Sequence, residues 1–172
     1  MKQRILLVIF ILALLISVVA CTVPIRDMNA PAKFYYALDE VKYHNSEGMI
    51  KAEIRETALI NADLKVLLNA YLAGPTSEEF RNPFPAGTQI IDVTTEDDCI
   101  KILINDGLSS LSDIDLTVAC ACLSSTAMDY TGAASACILS ENASLGSRES
   151  IRMTKEQLIF SDITATNYLE SD

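Results

Sequence analysis

Ile60-Asn-Ala-Asp-Leu64-Lys-Val-Leu67-Leu68-Asn-Ala-Tyr71-Leu72-Ala-Gly74-Pro75-Thr76-Ser77-Glu78-Glu79 has the pattern of a helix run into a hard stop. Ile60, Leu64, Leu67, Leu68 and Tyr71 recur at i, i+4, i+7, i+8 and i+11, which is one helical face. Asn61, Asp63, Lys65 and Asn69 lie at other angles, so one side should cover a sheet and the other meet water. Thr57 is a candidate N-cap. Gly74-Pro75 ends the helix, because Gly accepts the left-handed conformation after a last turn and Pro cannot continue the hydrogen-bond ladder. Thr76-Ser77-Glu78-Glu79 then offers a capping box for a short turn.

Upstream, Lys33 to Asp39 (KFYYALD) reads as a strand, and Met49 to Ile54 as its antiparallel partner across the polar loop Glu40 to Gly48. Tyr35 and Tyr36 should face opposite sides of that strand, one in the core and one free for an exposed contact. Downstream, Pro83 and Pro85 force an extended crossing to Gly87. Thr88 to Thr95 and Cys99 to Asn105 form a hairpin around Glu96-Asp97-Asp98, with Ile100, Ile102 and Ile104 on one face. Asp106-Gly107 turns the chain. Ser112 to Asp115 caps a second helix running to about Met128, whose Val118-Ala119-Cys120-Ala121-Cys122 permits close approach to a sheet. Ala133 to Ser140 is a further strand, and Glu149 to Met153 with Gln157 to Phe160 a final hairpin.

Three segments lie outside this fold. Ile5 to Ala20 holds 15 apolar residues out of 16 behind Lys2 and Arg4, the layout of a secretory leader over residues 1–20. As a helix it would span roughly 24 Å, short of the ~30 Å hydrocarbon core. Val18-Val19-Ala20-Cys21 resembles the bacterial lipobox, which implies diacylglyceryl attachment at Cys21. Two acyl chains suffice for stable anchoring. Residues 21–32, with Pro24 and Pro31, read as a tether, residues 33–162 as a single domain and residues 163–172 as a polar tail.

Charge narrows the function. The 172 residues carry 13 Lys plus Arg against 23 Asp plus Glu, and loss of Lys2 and Arg4 with the leader leaves 11 basic residues facing all 23 acidic ones. Such a chain repels phosphate and has no basic stripe, which argues against nucleic acid as a partner. His44 sits in a polar loop and no G-x-S-x-G motif occurs, so a hydrolytic triad has little support. Cys120 and Cys122 point about 200° apart on a helix and cannot share a metal. The four cysteines besides Cys21 read as small apolar side chains, and a Cys99–Cys137 bridge is left unassigned. No catalytic residue, metal ligand or cofactor site is expected.

Tyr71-Leu72-Ala73-Gly74-Pro75-Thr76-Ser77-Glu78-Glu79, followed by Phe84-Pro85-Ala86-Gly87-Thr88, resembles the GerM domain of sporulation and spore-germination proteins. The resemblance covers roughly Lys33 to Glu141. It implies an α/β (α+β) fold, a small, mostly antiparallel sheet with two helices packed on one face, similar to the ring-building modules of secretion-type assemblies. Its signature residues are Leu72, Gly74, Pro75, Thr76, Pro85, Gly87 and Thr88, and they mark fold, not a site. This sequence has Glu96-Asp97-Asp98 at the hairpin tip where Gly is common, Ser140-Glu141-Asn142 where the family has V-D-G, and one copy of the domain.

The expectation is a non-catalytic lipoprotein held on the outer face of the bacterial cell membrane through lipid on Cys21. It would serve a sporulation, germination or envelope assembly by sheet or helix contacts with another extracytoplasmic protein. The alternatives are an envelope hydrolase or small-ligand-binding lipoprotein, and a structural homo-oligomer.

Overall fold

The computed structural model describes residues 31–39, 49–56 and 62–161. The leader, Cys21, the loop with His44, Thr57, Ile60 and the tail at 163–172 lie outside the described residues.

Among the described residues, seven strands divide into two sheets. The first has the order β2-β1-β3, with β1 at Ala32–Leu38, β2 at Ile50–Arg55 and β3 at Phe80–Arg81. The second has the order β4-β5-β6-β7, with β4 at Ile90–Glu96, β5 at Cys99–Ile104, β6 at Ser135–Ser140 and β7 at Ser150–Thr154. All pairings are antiparallel except β5 with β6. A parallel pair needs a long crossover, which is the helix α2, Asp113–Thr131. With α1 at Leu64–Tyr71, this is an α+β fold with two α-helices among the described residues.

The α2 helix is buried all the way round from Val118 to Met128. A helix with no polar face belongs in an interior. It packs against β1 of one sheet and β6 and β7 of the other, and its Ala, Ser and Cys side chains keep it thin enough to fit. Its start is the Ser112 cap read from the sequence: the Ser112 hydroxyl donates to Asp115 Oδ2 at 2.7 Å and its Oγ accepts the Asp115 amide.

The β4–β5 hairpin closes through Asp97 and Asp98 at φ 46° and 62°. Two consecutive left-handed residues make a type I′ turn, and Asp tolerates that region better than most residues. The Asp98 carbonyl and carboxylate also accept from the amides of Ala134 and Ser135, tying the tip to the start of β6. Ile100, Ile102 and Ile104 are fully buried, as their alternation requires.

Four expectations need correction. The helix expected from Thr57 has its described start at Leu64, because Ala62 and Asp63 are not helical and Asp63 turns its side chain onto the Lys65 amide at 2.8 Å as N-cap; residues 57–61 lie outside the described residues. The box at Thr76 to Glu79 does not form, since the Thr76 hydroxyl is bonded to Glu53 and the Glu79 amide donates to Ser77 Oγ. Tyr35 and Tyr36 are both buried, because β1 is covered on both faces. The final hairpin is absent: β7 pairs with β6, and Lys155–Ser161 winds into a 3₁₀ helix after Gln157 Oε1 accepts the Thr154 amide.

Candidate functional site

The densest polar arrangement among the described residues lies where the signature turn meets β2. Glu53 and Arg55 are two apart on a strand and so share a face. That face points inward, while Ile54 between them is 65% exposed and Glu53 only 7%. The alternation is inverted, with charge inside and aliphatic outside.

The Glu53 carboxylate is fully occupied. Oε1 accepts the Thr76 amide at 3.0 Å, the Thr76 hydroxyl at 2.6 Å and the Ser77 amide at 2.9 Å. Oε2 accepts Arg55 Nε at 2.6 Å, and Arg55 Nη2 also contacts it. The guanidinium is fixed in turn. Its Nη2 donates to the Gly74 carbonyl at 2.8 Å and to the Tyr36 phenol at 3.2 Å, and its carbon lies 5.1 Å from the Phe34 ring centroid and 5.3 Å from that of Tyr36. Stacking of this kind suits arginine and not lysine.

Burial works against ionising Glu53, yet the bonds from Thr76, Arg55 and Ser77 outweigh it and hold the carboxyl below its ordinary value. Burial drives the Tyr36 phenol far upward against the nearby Arg55 charge, so it stays protonated and donates to the Tyr71 carbonyl at 2.8 Å. Gly74 is at φ +106°, a conformation that side chains resist, and a Cβ there would sit 3.0 Å from Asn82 Nδ2. Gly74-Pro75 therefore turns the backbone so that two successive amides, those of Thr76 and Ser77, face one carboxylate.

A cleft of about 510 Å³ opens beside this turn, between the end of α1 and the P-x-G-T crossing. Leu72, Pro85, Gly87 and Thr88 of the signature line it, with Asn69 and Asn82. The side chains of Asn82, Asn69 and Thr88 are already bonded within the chain. Asn82 donates to the Leu72 carbonyl at 3.2 Å and accepts the Phe84 amide at 3.1 Å. Asn69 donates to the Ile90 carbonyl at 3.2 Å and accepts the Ile90 amide at 3.0 Å, and Thr88 Oγ1 donates to the Pro85 carbonyl at 2.7 Å. The structure thus brings all seven signature residues to one end of α1. The sequence reading did not pick out Glu53 and Arg55; the reversed exposure of a Glu-Ile-Arg triplet was the available signal.

Among the described residues no group of three His, Cys, Asp or Glu side chains could hold a metal ion. Cys99, Cys120, Cys122 and Cys137 are free thiols. Cys137 pairs in register with Lys101, two residues beyond Cys99, which puts the two Cα atoms roughly 8 Å apart and out of reach of a disulfide. Burial pushes Cys120 up to about 12 and Cys122 higher still. No helix among the described residues is long and apolar enough to cross a membrane.

A family model described as "Germane: Sporulation and spore germination" matches residues 33–146. No curated protein matches the chain. Among solved structures, a 2.5 Å crystal structure of a candidate lipoprotein from Clostridium perfringens aligns at 18% identity over 74% of this chain and 89% of that one, with a TM-score of 0.43.

Proposed function

The chain belongs to the Germane family of sporulation and spore germination, and from that premise we propose that it is a non-catalytic lipoprotein module of a sporulation, germination or envelope assembly. It is anchored through lipid on Cys21 at the outer face of the cell membrane and acts by contact with another extracytoplasmic protein. The observation that carries the interaction role is the state of the signature and its neighbours: the Thr76 and Thr88 side chains of the signature, the adjoining Asn69 and Asn82 side chains and the backbone of Ser77 are engaged in bonds that hold the chain to itself. Residues spent in this way build a surface and are poorly placed to turn over a substrate. The lipobox-like Val18-Val19-Ala20-Cys21 behind a basic, apolar leader supports the anchor.

One observation favours a second reading, a small-ligand lipoprotein: the cleft beside α1 is large enough for a small molecule. The Asn69 and Asn82 side-chain amides, already bonded to backbone, weigh against it, as a ligand using them would have to displace those bonds. A homo-oligomer is tested by light scattering on the delipidated chain.

Two experiments test the main proposal. Cys21→Ser should abolish incorporation of labelled fatty acid and leave uncut precursor; a variant that is processed and fractionates like the parent refutes the anchor. Crosslinking in intact cells through growth and spore formation should recover an extracytoplasmic protein. Recovery of none at any stage, or consumption of a wall-derived compound by the purified chain, refutes the interaction role.

A further inference from the structure

We propose that the Gly74–Ser77 turn is a carboxylate receptor, and that Glu53 is a resident ligand occupying it from within the same chain. The receptor has the parts of an anion site: two consecutive backbone amides, a hydroxyl and a guanidinium, all converging on one carboxylate. The amides and the guanidinium are positioned by something other than Glu53. Gly74 and Pro75 set the direction of the amides, and Asn82 Nδ2 pins the preceding Leu72 carbonyl. Arg55 is held by the Gly74 carbonyl, the Tyr36 phenol and the faces of Phe34 and Tyr36. A site whose donors are fixed independently of the acceptor is preorganised, and preorganised donors retain affinity when the acceptor is supplied free.

Geometry also gives the receptor a way in. Glu53 is buried beneath the turn, but Thr76 and Ser77 are exposed, so removing the Glu53 side chain beyond Cβ opens a carboxylate-sized space next to water. The ligand class is a small planar carboxylate. Chloride has one centre and cannot bridge the Thr76–Ser77 amides and the Arg55 fork together. This assignment stands whether or not a protein partner is found, since it concerns what holds the signature turn.

The test uses the full chain carrying Glu53→Ala, with acetate as the probe. A half-buried arginine and two turn amides that lose their shared carboxylate are destabilised together, so the midpoint of thermal unfolding should fall by roughly 10 °C. Sodium acetate at about 100 mM should restore several degrees to E53A at pH 7 and move the parent by less than about 2 °C, with sodium chloride of equal ionic strength as the reference. Equal effects of acetate and chloride on E53A overturn the proposal. If E53A does not fold, Glu53→Gln keeps the shape and removes the charge. The amide protons of Thr76 and Ser77 should then move upfield in the NMR spectrum as the charge-assisted bonds weaken; unshifted amides in E53Q overturn it equally.

Discussion

Replacing Thr126 by Val tests how β1 is held along the side that β2 does not cover. β3 pairs with β1 only at Ala37 and Leu38, which leaves the backbone of Tyr35 facing the helices. The Tyr35 amide donates to Thr126 Oγ1 at 3.0 Å and its carbonyl accepts the Tyr71 hydroxyl at 2.5 Å. Thr126 is fully buried. Val matches Thr in shape, so Thr126→Val creates no cavity and removes the hydroxyl, which breaks its bond with the Tyr71 side chain and leaves the buried Tyr35 amide without that acceptor, at about 1–3 kcal/mol. In a domain of this size that is a fall of roughly 5–10 °C in unfolding midpoint. Thr126→Ser keeps the oxygen and loses one methyl, about 1 kcal/mol. Urea unfolding should rank parent, T126S and T126V in that order, and hydrogen exchange at the Tyr35 amide should accelerate in T126V alone. A T126V stability within about 0.5 kcal/mol of the parent, the error of such measurements, or equal losses in T126S and T126V, would refute the reasoning.

Gly107→Ala should cost about 1–3 kcal/mol in urea unfolding, because a Cβ there would lie 2.6 Å from Thr88 Oγ1 and 3.0 Å from Thr88 Cα; Thr88→Ala should relieve only part of the loss, since the backbone contact remains. Acid should destabilise the protein through Glu53. Its folded pKa is depressed, so the stability it contributes is present above the unfolded value of 4.5 and is lost as pH falls through the lower folded value. A plot of unfolding midpoint against pH should therefore steepen below about pH 4.5, and less so in Glu53→Gln, whose side chain does not titrate. Cys137 is half-buried on an outer strand face and should react with a thiol reagent in the native protein at pH 8, whereas Cys120 and Cys122 should react only on unfolding. Mass spectrometry of the labelled peptides checks it.

Local signals were legible and long-range ones were not. The Ser112 cap, the stop at Gly74-Pro75, the hairpin tip around Glu96-Asp97-Asp98 and the buried Ile100, Ile102 and Ile104 each depend on residues within a few positions of one another. The two-residue strand Phe80–Arg81 carries no periodicity of its own, and exists because β1 offers it a partner more than 40 residues earlier in the chain. The division into two sheets rests on α2 being buried on all sides, and its small side chains predicted close approach without saying to how many surfaces. Glu53 meets Thr76 across 23 residues. Only the exposed Ile54 between two inward charges hinted at that meeting, as a broken local rule often does where a structure is specialised.

Twice in this fold a helix side chain completes a strand. Asn69 of α1 bonds both the amide and the carbonyl of Ile90 on β4, as a neighbouring strand residue would. Thr126 of α2 and Tyr71 of α1 divide the same task at Tyr35 on β1. An open strand edge is a template for pairing with another chain, and covering it with a helix is one of the ways proteins close it. Here the closure reaches the individual amide, which fixes the helices against the sheets at the same stroke. It also limits how a partner can bind. Strand addition at Tyr35 or Ile90 would require Thr126 and Tyr71, or Asn69, to release bonds in exchange for equivalent ones and so would gain little. A partner that docks on this domain through a sheet must use a different edge, and substitutions at Thr126 and Asn69 should weaken its binding only to the extent that they unfold the domain.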